Sequence, residues 1–345
     1  MVYSKLVLGV KWAFLCFLLI LSGCEKEGIV NTEYIEYFAQ DVCVDGPFAT
    51  ATDKLETDRG VILLPDNYSS SGVSVPLVIY CHSGGGSVYK GRSEAQDQTI
   101  VKYLLFKGYA VVSAAGMPET YSSRLDIDHG RTVGSHIAHR AYKSAYEYAI
   151  HKYNIKKDGC FIFGNSNGGL SMMNLHNLTD IPILAMAGIS PLLSLCENAW
   201  NISSASLRPQ GFSSFQNRAN IIRLFGMKDV DSLEDLENAK YEQDKVREYD
   251  PYVYCLTKEK FAMRAPLLIF NPKNDFVVRR EYAEHLAFLL NNRSLNQIEI
   301  SPVEEFGGHT APAKPLYVGE FVYKGEVLKI NQTIELIYQF FEQHR

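Results

Sequence analysis

The stretch Cys160-Phe161-Ile162-Phe163-Gly164-Asn165-Ser166-Asn167-Gly168-Gly169 constrains the fold of this chain more than any other. An apolar run short enough for a strand ends in a glycine, and a helical pattern through Leu170, Met173 and Leu178 follows at once. A reversal that tight brings a strand end almost into contact with a helix start, where only residues without side chains avoid collision. A buried strand feeding straight into a helix is the building unit of a parallel sheet covered on both faces. Other short apolar runs bounded by Gly, Pro, Asp or Asn repeat the signal at 59–64, Leu77–Cys81, 109–113, Ile183–Ile189, 266–270 and 297–300. Between them lie amphipathic patterns. One covers about 131–153, with Val133, Ile137, Ala141, Ala145 and Ala149 on a single stripe, and another follows Arg279 with Tyr282, Leu286 and Leu289 inward. The expected fold class is α/β, a mostly parallel central sheet flanked by helices.

The rest of the composition fits one large domain. The 345 residues are 46% hydrophobic, enough to bury a full core. Thirty-four Lys and Arg against thirty-nine Asp and Glu, with no basic block longer than a residue or two, argue against a nucleic-acid partner. From about 191 to 262 the strand rhythm stops, and a charged helical pattern near 232–248 lies among aromatics such as Trp200, Phe212 and Tyr252. This reads as a cap-like insertion within a domain spanning 46–345. Its aromatics have two readings, a small core of the insertion or stacking surfaces for sugar or phenolic rings.

Residues 1–23 read as a processing segment: Lys5 and Lys11 flank apolar runs, and Leu21-Ser22-Gly23-Cys24 follows. The apolar run from Trp12 is too short to span the roughly 30 Å core of a bilayer. The pattern resembles a bacterial lipoprotein signal, which implies a lipid on Cys24, a tether and extension over 24–45, and attachment to the cell-envelope membrane through that lipid. Of the remaining cysteines, Cys81 and Cys160 sit inside apolar runs and are expected to pack as small hydrophobes. Cys43, Cys196 and Cys255 leave any disulfide pairing open.

The glycine-bounded turn around Ser166, in its strand-turn-helix setting, resembles the nucleophile elbow of α/β-hydrolase serine hydrolases. The resemblance covers the chain from about Arg59 onward and implies the cap-bearing α/β-hydrolase fold. It makes Ser166 the expected nucleophile. His82-Ser83-Gly84-Gly85-Gly86, directly after the run Leu77–Cys81, is similar to the family's oxyanion loop with Ser83 in place of a glycine. One oxyanion donor is then the N–H of Asn167 and the other that of Gly84 or Ser83, with Gly84 preferred, while His82 is expected to brace the loop. The family's chain order demands an acid after the run at 266–270 and a histidine after the last strand. Asp275, in Asn274-Asp275-Phe276-Val277-Val278, and His309, in Gly307-Gly308-His309, meet that demand. Asp229, Asp231, Glu304 and Glu305 are the competing acids. His136 and His139, on one helix with no third ligand evident, do not make a metal site. No metal-binding or nucleotide-binding motif occurs, and the implied chemistry needs no cofactor.

The segment Gly60-Val61-Ile62-Leu63-Leu64-Pro65 and the run ending at His82 are similar to the corresponding parts of secreted feruloyl, acetylxylan and polyhydroxybutyrate-depolymerase esterases and of prolyl-oligopeptidase-like catalytic domains. The expected activity is carboxylic ester hydrolysis through an acyl-enzyme, on small-molecule or glycan-linked esters such as an envelope protein would meet. The alternatives are a serine peptidase of prolyl-oligopeptidase-like type and a catalytically silent binding protein on the same fold.

Overall fold

The computed structural model describes residues 35–45, 54–89, 91–195, 214–225, 248–258, 261–272, 275, 277–278, 280–293, 296–301, 309 and 317–345. Residues 1–34 with Cys24, most of the insertion with Cys196, Trp200, Phe212, Asp229 and Asp231, and residues 302–308 with Glu304 and Glu305 lie outside them.

Eight strands build the main sheet: β1 (Ile35–Cys43), β2 (Leu55–Leu63), β3 (Leu77–Cys81), β6 (Ala110–Ala114), β7 (Cys160–Asn165), β8 (Ile183–Ile189), β9 (Leu267–Phe270) and β10 (Ile298–Ile300). Two short pairs are the other strands among the described residues, β4 (Val88–Tyr89) with β5 (Arg92–Ser93) and β11 (Tyr317–Tyr323) with β12 (Glu326–Asn331). The described helices are α1 (Glu94–Asp97), α2 (Thr99–Phe106), α3 (Glu119–Leu125), α4 (His136–Lys152), α5 (Gly168–Leu178), α6 (Ser214–Phe225), α7 (Pro251–Thr257), α8 (Arg280–Asn291) and α9 (Gln332–Gln343).

The strand order is β1-β2-β6-β3-β7-β8-β9-β10. From β6 to β10 every pairing is parallel, whereas β1 with β2 and β2 with β6 run antiparallel. Alternate side chains of the central strands enter two separate cores, as the two-residue period of a strand requires. Leu77, Ile79, Cys160 and Ile162 join one core with Ile137 and Ala141 of α4, Met172 of α5 and Leu286 of α8. Val78, Tyr80, Phe161 and Phe163 join the other with Ile100 and Leu104 of α2 and Ile337 and Phe341 of α9. Both faces are therefore covered, which is why these strands read as unbroken apolar runs.

Two expectations change. The stripe over 131–153 becomes a helix only from His136. Val133 (φ 44°) and Gly134 (φ 62°) are left-handed, and the Ser135 hydroxyl caps the helix by accepting the Ala138 N–H. Residues 35–43, read as part of a tether and extension, form β1, which pairs with β2 along its whole length from Ile35↔Leu63 to Cys43↔Leu55. A buried Gln40 interrupts its apolar alternation: the Gln40 side chain donates to the Ala141 carbonyl at 3.0 Å. Cys43, Cys81, Cys160 and Cys255 are free thiols.

β3 lies at the centre of the sheet, with the next sheet strand, β6, on one side and β7 on the other. Such a reversal in winding direction opens a crevice at the carboxyl ends of the strands. The register places Cys81, the last residue of β3, opposite Gly164 of β7, so the loops that follow the two strands emerge side by side.

Candidate active site

The turn at Ser166 is held from three directions. The Ser166 N–H donates to the Ile189 carbonyl at the end of β8 (3.0 Å), and its carbonyl accepts from Gly169 (2.9 Å) and from Leu192 (2.8 Å). Ser166 itself has φ 50°, a left-handed conformation that a non-glycine residue adopts at a cost of about 1–2 kcal/mol. The surrounding contacts impose this strain, and it belongs to the strand-to-helix reversal read from the sequence.

His309 and Asp275 come to this turn from beyond β10 and β9. The Ser166 Oγ lies 2.7 Å from His309 Nε2, and His309 Nδ1 lies 2.9 Å from Asp275 Oδ2 and 3.1 Å from Oδ1. A neutral imidazole that donates from Nδ1 to the carboxylate presents Nε2 as an acceptor for the serine hydroxyl. The three residues thus form one hydrogen-bonded chain. Asp275 is pinned in turn, because its Oδ1 accepts the backbone N–H groups of Val277 (2.8 Å) and Val278 (2.9 Å). Its side chain is fully buried while that of His309 keeps 20% exposure, so the outer end of the chain is open and the inner end sealed. Such an arrangement can draw a proton from the serine hydroxyl and stabilise the resulting imidazolium.

The loop after β3 stands beside this chain. A β-carbon on Gly84 would lie 3.4 Å from Asn167 Cβ, so the two expected oxyanion residues abut. Asn167 stands at the N-cap position of α5, and its side chain makes no capping hydrogen bond there. Ser83 and Gly84 differ in one respect: the Ser83 N–H donates to Glu94 Oε1 at 3.2 Å, whereas the Gly84 N–H has no acceptor among the described residues. This leaves Gly84 as the available donor of the pair. His82, 2% exposed, sets its ring nitrogens 2.9 Å from the Ser83 and Ala115 carbonyl oxygens and ties the loop to the end of β6. Within electrostatic range of His82, burial pushes the carboxyl of Asp58 up to about 6.

Two further neighbours are not signalled in the sequence. The segment around Gly130 packs on the loop: the Gly85 N–H donates to the Gly130 carbonyl (3.2 Å), and Ser87 Oγ meets His129 Nε2 (2.9 Å). Arg131, whose Nε donates to Asp128 at 2.9 Å, brings Nη1 to 2.9 Å from where a Gly84 β-carbon would be. Glu94 is the other. Ser93 and Gln96 form a capping box that marks a helix start in the sequence, but nothing in that pattern indicates where the intervening carboxylate reaches.

The remaining histidines of the sequence reading lie elsewhere. His139 stacks on Tyr249 with ring centroids 5.7 Å apart, and burial lowers it to about 4, so it is neutral. Among the described residues no group of three or more His, Cys, Asp or Glu is placed to hold a metal ion.

The same architecture occurs in solved structures. A prolyl endopeptidase structure aligns over 90% of this chain with a TM-score of 0.57 at 14% identity. An acylaminoacyl peptidase of Pyrococcus horikoshii aligns over 92% with a TM-score of 0.56 at 14% identity, and a puromycin-hydrolysing peptidase of Mycobacterium tuberculosis over 83% with a TM-score of 0.52 at 17% identity. The fold is that of the α/β-hydrolases. This chain spans 38%, 42% and 38% of those three chains, and at such identities the likeness is one of fold. No protein-family model and no curated protein matches the sequence.

Proposed function

We propose that the protein is a serine hydrolase that works through an acyl-enzyme on Ser166 and that its substrates are short peptide or aminoacyl amides. The observation that carries this reading is the unbroken contact chain from Ser166 Oγ through His309 to the buried Asp275, beside which Gly84 and Asn167 abut. His309 Nε2 takes the hydroxyl proton as Oγ attacks the carbonyl carbon, and the N–H groups of Gly84 and Asn167 receive the oxyanion. His309 then gives that proton to the leaving nitrogen as the C–N bond breaks. Water, deprotonated by His309, cleaves the acyl-serine ester and restores the enzyme. Asp275 holds the imidazole in the required tautomer throughout and offsets its charge.

The amide preference rests on the neighbours, which are peptidases by name. It replaces the ester preference drawn from the sequence. Ester cleavage is kept as a second reading because the segment from Gly60 to Pro65 is similar to that of secreted esterases. A panel of aminoacyl and prolyl nitroanilides, nitrophenyl acetate and methyl ferulate separates the two, since the ratio of kcat/KM values measures transition-state preference. We expect the best amide to exceed the best ester once intrinsic leaving-group reactivity is divided out; the reverse order would return the assignment to carboxylesterase. Fluorophosphonate capture, abolished by Ser166→Ala, tests the common chemistry, and folded wild-type protein that resists capture would be a binding protein. A lipid on Cys24 would hold this activity at the envelope membrane, and Cys24→Ala should then release the protein to the soluble fraction.

A further inference from the structure

Glu94 lies outside the Ser166–His309–Asp275 chain, yet it makes more contacts with the loop after β3 than any role in α1 requires. Its Oε1 accepts the Tyr80 phenol O–H at 2.6 Å and the Ser83 N–H at 3.2 Å, and its Oε2 accepts the Ser83 hydroxyl at 2.9 Å. Its backbone N–H donates to the Ser87 carbonyl at 3.2 Å. One residue therefore grips the loop at both ends, Ser83 and Ser87. Between these grips, the Gly86 N–H donates to the Ser83 carbonyl at 3.0 Å and closes the turn. The carboxylate occupies the place of a side chain at Gly86, where a β-carbon would lie 1.6 Å from Glu94 Oε2. Gly86 thus leaves the room that the Glu94 carboxylate fills.

Tyr80 secures the carboxylate from below. It is fully buried on β3, and burial together with the negative charge of Glu94 holds its phenol far above the ordinary range, so the O–H stays available as a donor.

We infer that Glu94 is a positioning residue for the oxyanion site: by taking up the Ser83 N–H and hydroxyl, its carboxylate fixes the loop so that the next N–H, that of Gly84, is the one left for the substrate oxyanion. This rests on the serine hydrolase reading. Donors set in advance at the place where charge develops stabilise the transition state more than the ground state. Loss of the grip should therefore lower kcat and leave KM nearly unchanged.

The experiment compares wild type, Glu94→Ala and Glu94→Gln on the best substrate of the panel and measures inhibition by phenylboronic acid, a mimic of the tetrahedral state. Glu94→Ala should lower kcat about 10²- to 10³-fold, the size of losing one oxyanion donor, with KM within about threefold of wild type. Its boronic acid affinity should fall with kcat. Glu94→Gln should recover most of the activity, because its carbonyl oxygen can still accept from Ser83 and Tyr80. A folded Glu94→Ala that turns over within about threefold of wild type would overturn the inference, as would a loss confined to KM. If Glu94→Ala does not fold, Glu94→Asp replaces it, since withdrawing the carboxylate by one methylene breaks both Ser83 contacts and should give the same loss in kcat. Failure of both to fold would assign Glu94 to stability alone. Wild-type protein that neither turns over nor is captured by fluorophosphonate would refute the hydrolase reading itself, whereas an active wild type with an equally active Glu94→Ala would refute only the role of Glu94.

Discussion

The carbonyl oxygen of Cys81 lies where Gly168 leaves room for it: a β-carbon on Gly168 would sit 2.1 Å from that oxygen and 2.7 Å from the carbonyl oxygen of His82. The end of β3 and the first turn of α5 are thus packed backbone to backbone. The loop carrying Gly84 and the turn carrying Ser166 cannot shift independently. Gly168→Ala should therefore disturb both together. No flexible side chain can yield at this contact, so the expected cost is at the upper end of overpacking, about 1–3 kcal/mol, with a clear fall in activity at temperatures where the variant is still folded. Thermal unfolding followed alongside turnover checks this; a variant with wild-type Tm and turnover would mean that the contact is not tight.

Asp275 offers a cleaner separation of structure from chemistry. Its Oδ1 accepts the Val277 and Val278 N–H groups, and its Oδ2 is the closer oxygen to His309 Nδ1. In Asp275→Asn the remaining carbonyl oxygen can keep the two backbone bonds, which directs the amide NH₂ at His309. Nδ1 must then accept, the ring proton moves to Nε2, and the base facing Ser166 is lost. The expected outcome is a drop of about four orders of magnitude in kcat with nearly unchanged thermal stability. Turnover within tenfold of wild type would remove Asp275 from the chain and direct attention to Asp229, Asp231, Glu304 or Glu305, which lie outside the described residues.

These two positions also mark what is legible in the sequence. Ser166 and Gly168 belong to a local pattern, a strand, a turn and a helix within ten residues, whose steric demands are visible without any tertiary contact. Asp275 and His309 are named from the chain order that the family resemblance implies, and in the structure the His309 ring stands between Ser166 and Asp275. β1 is hidden because Gln40 breaks its alternation, and the partner that accepts its amide N–H, the Ala141 carbonyl of α4, is remote in sequence. The start of α4 is misplaced for a local reason, since Val133 fits the apolar stripe yet takes a left-handed conformation, and the helix begins only at His136. Glu94 and Arg131 carry no local signal at all. Their positions depend on how far a long side chain extends into a loop elsewhere in the chain.

Asp58 gives a prediction with a definite sign. It is 1% exposed, accepts the Gly116 N–H at 3.1 Å and the Gln40 amide at 3.4 Å, and has His82 nearby. Burial raises it from 3.8 to about 6 in the folded protein. Between those values the folded state binds more protons than the unfolded state, so the contribution of Asp58 to stability falls as pH rises through this window. Above about pH 6 the buried group is ionised, at a cost that is absent below about pH 4. Asp58→Asn keeps a carbonyl oxygen for Gly116 and removes the ionisation. It should be more stable than wild type at pH 7.5, by about 1–3 kcal/mol, and the advantage should shrink toward zero near pH 4. Denaturant unfolding of both proteins at the two pH values decides the matter. A wild-type protein more stable than Asp58→Asn at pH 7.5 would mean that the hydrogen bonds donated by Gly116 and Gln40 to ionised Asp58 outweigh the cost of burying its charge.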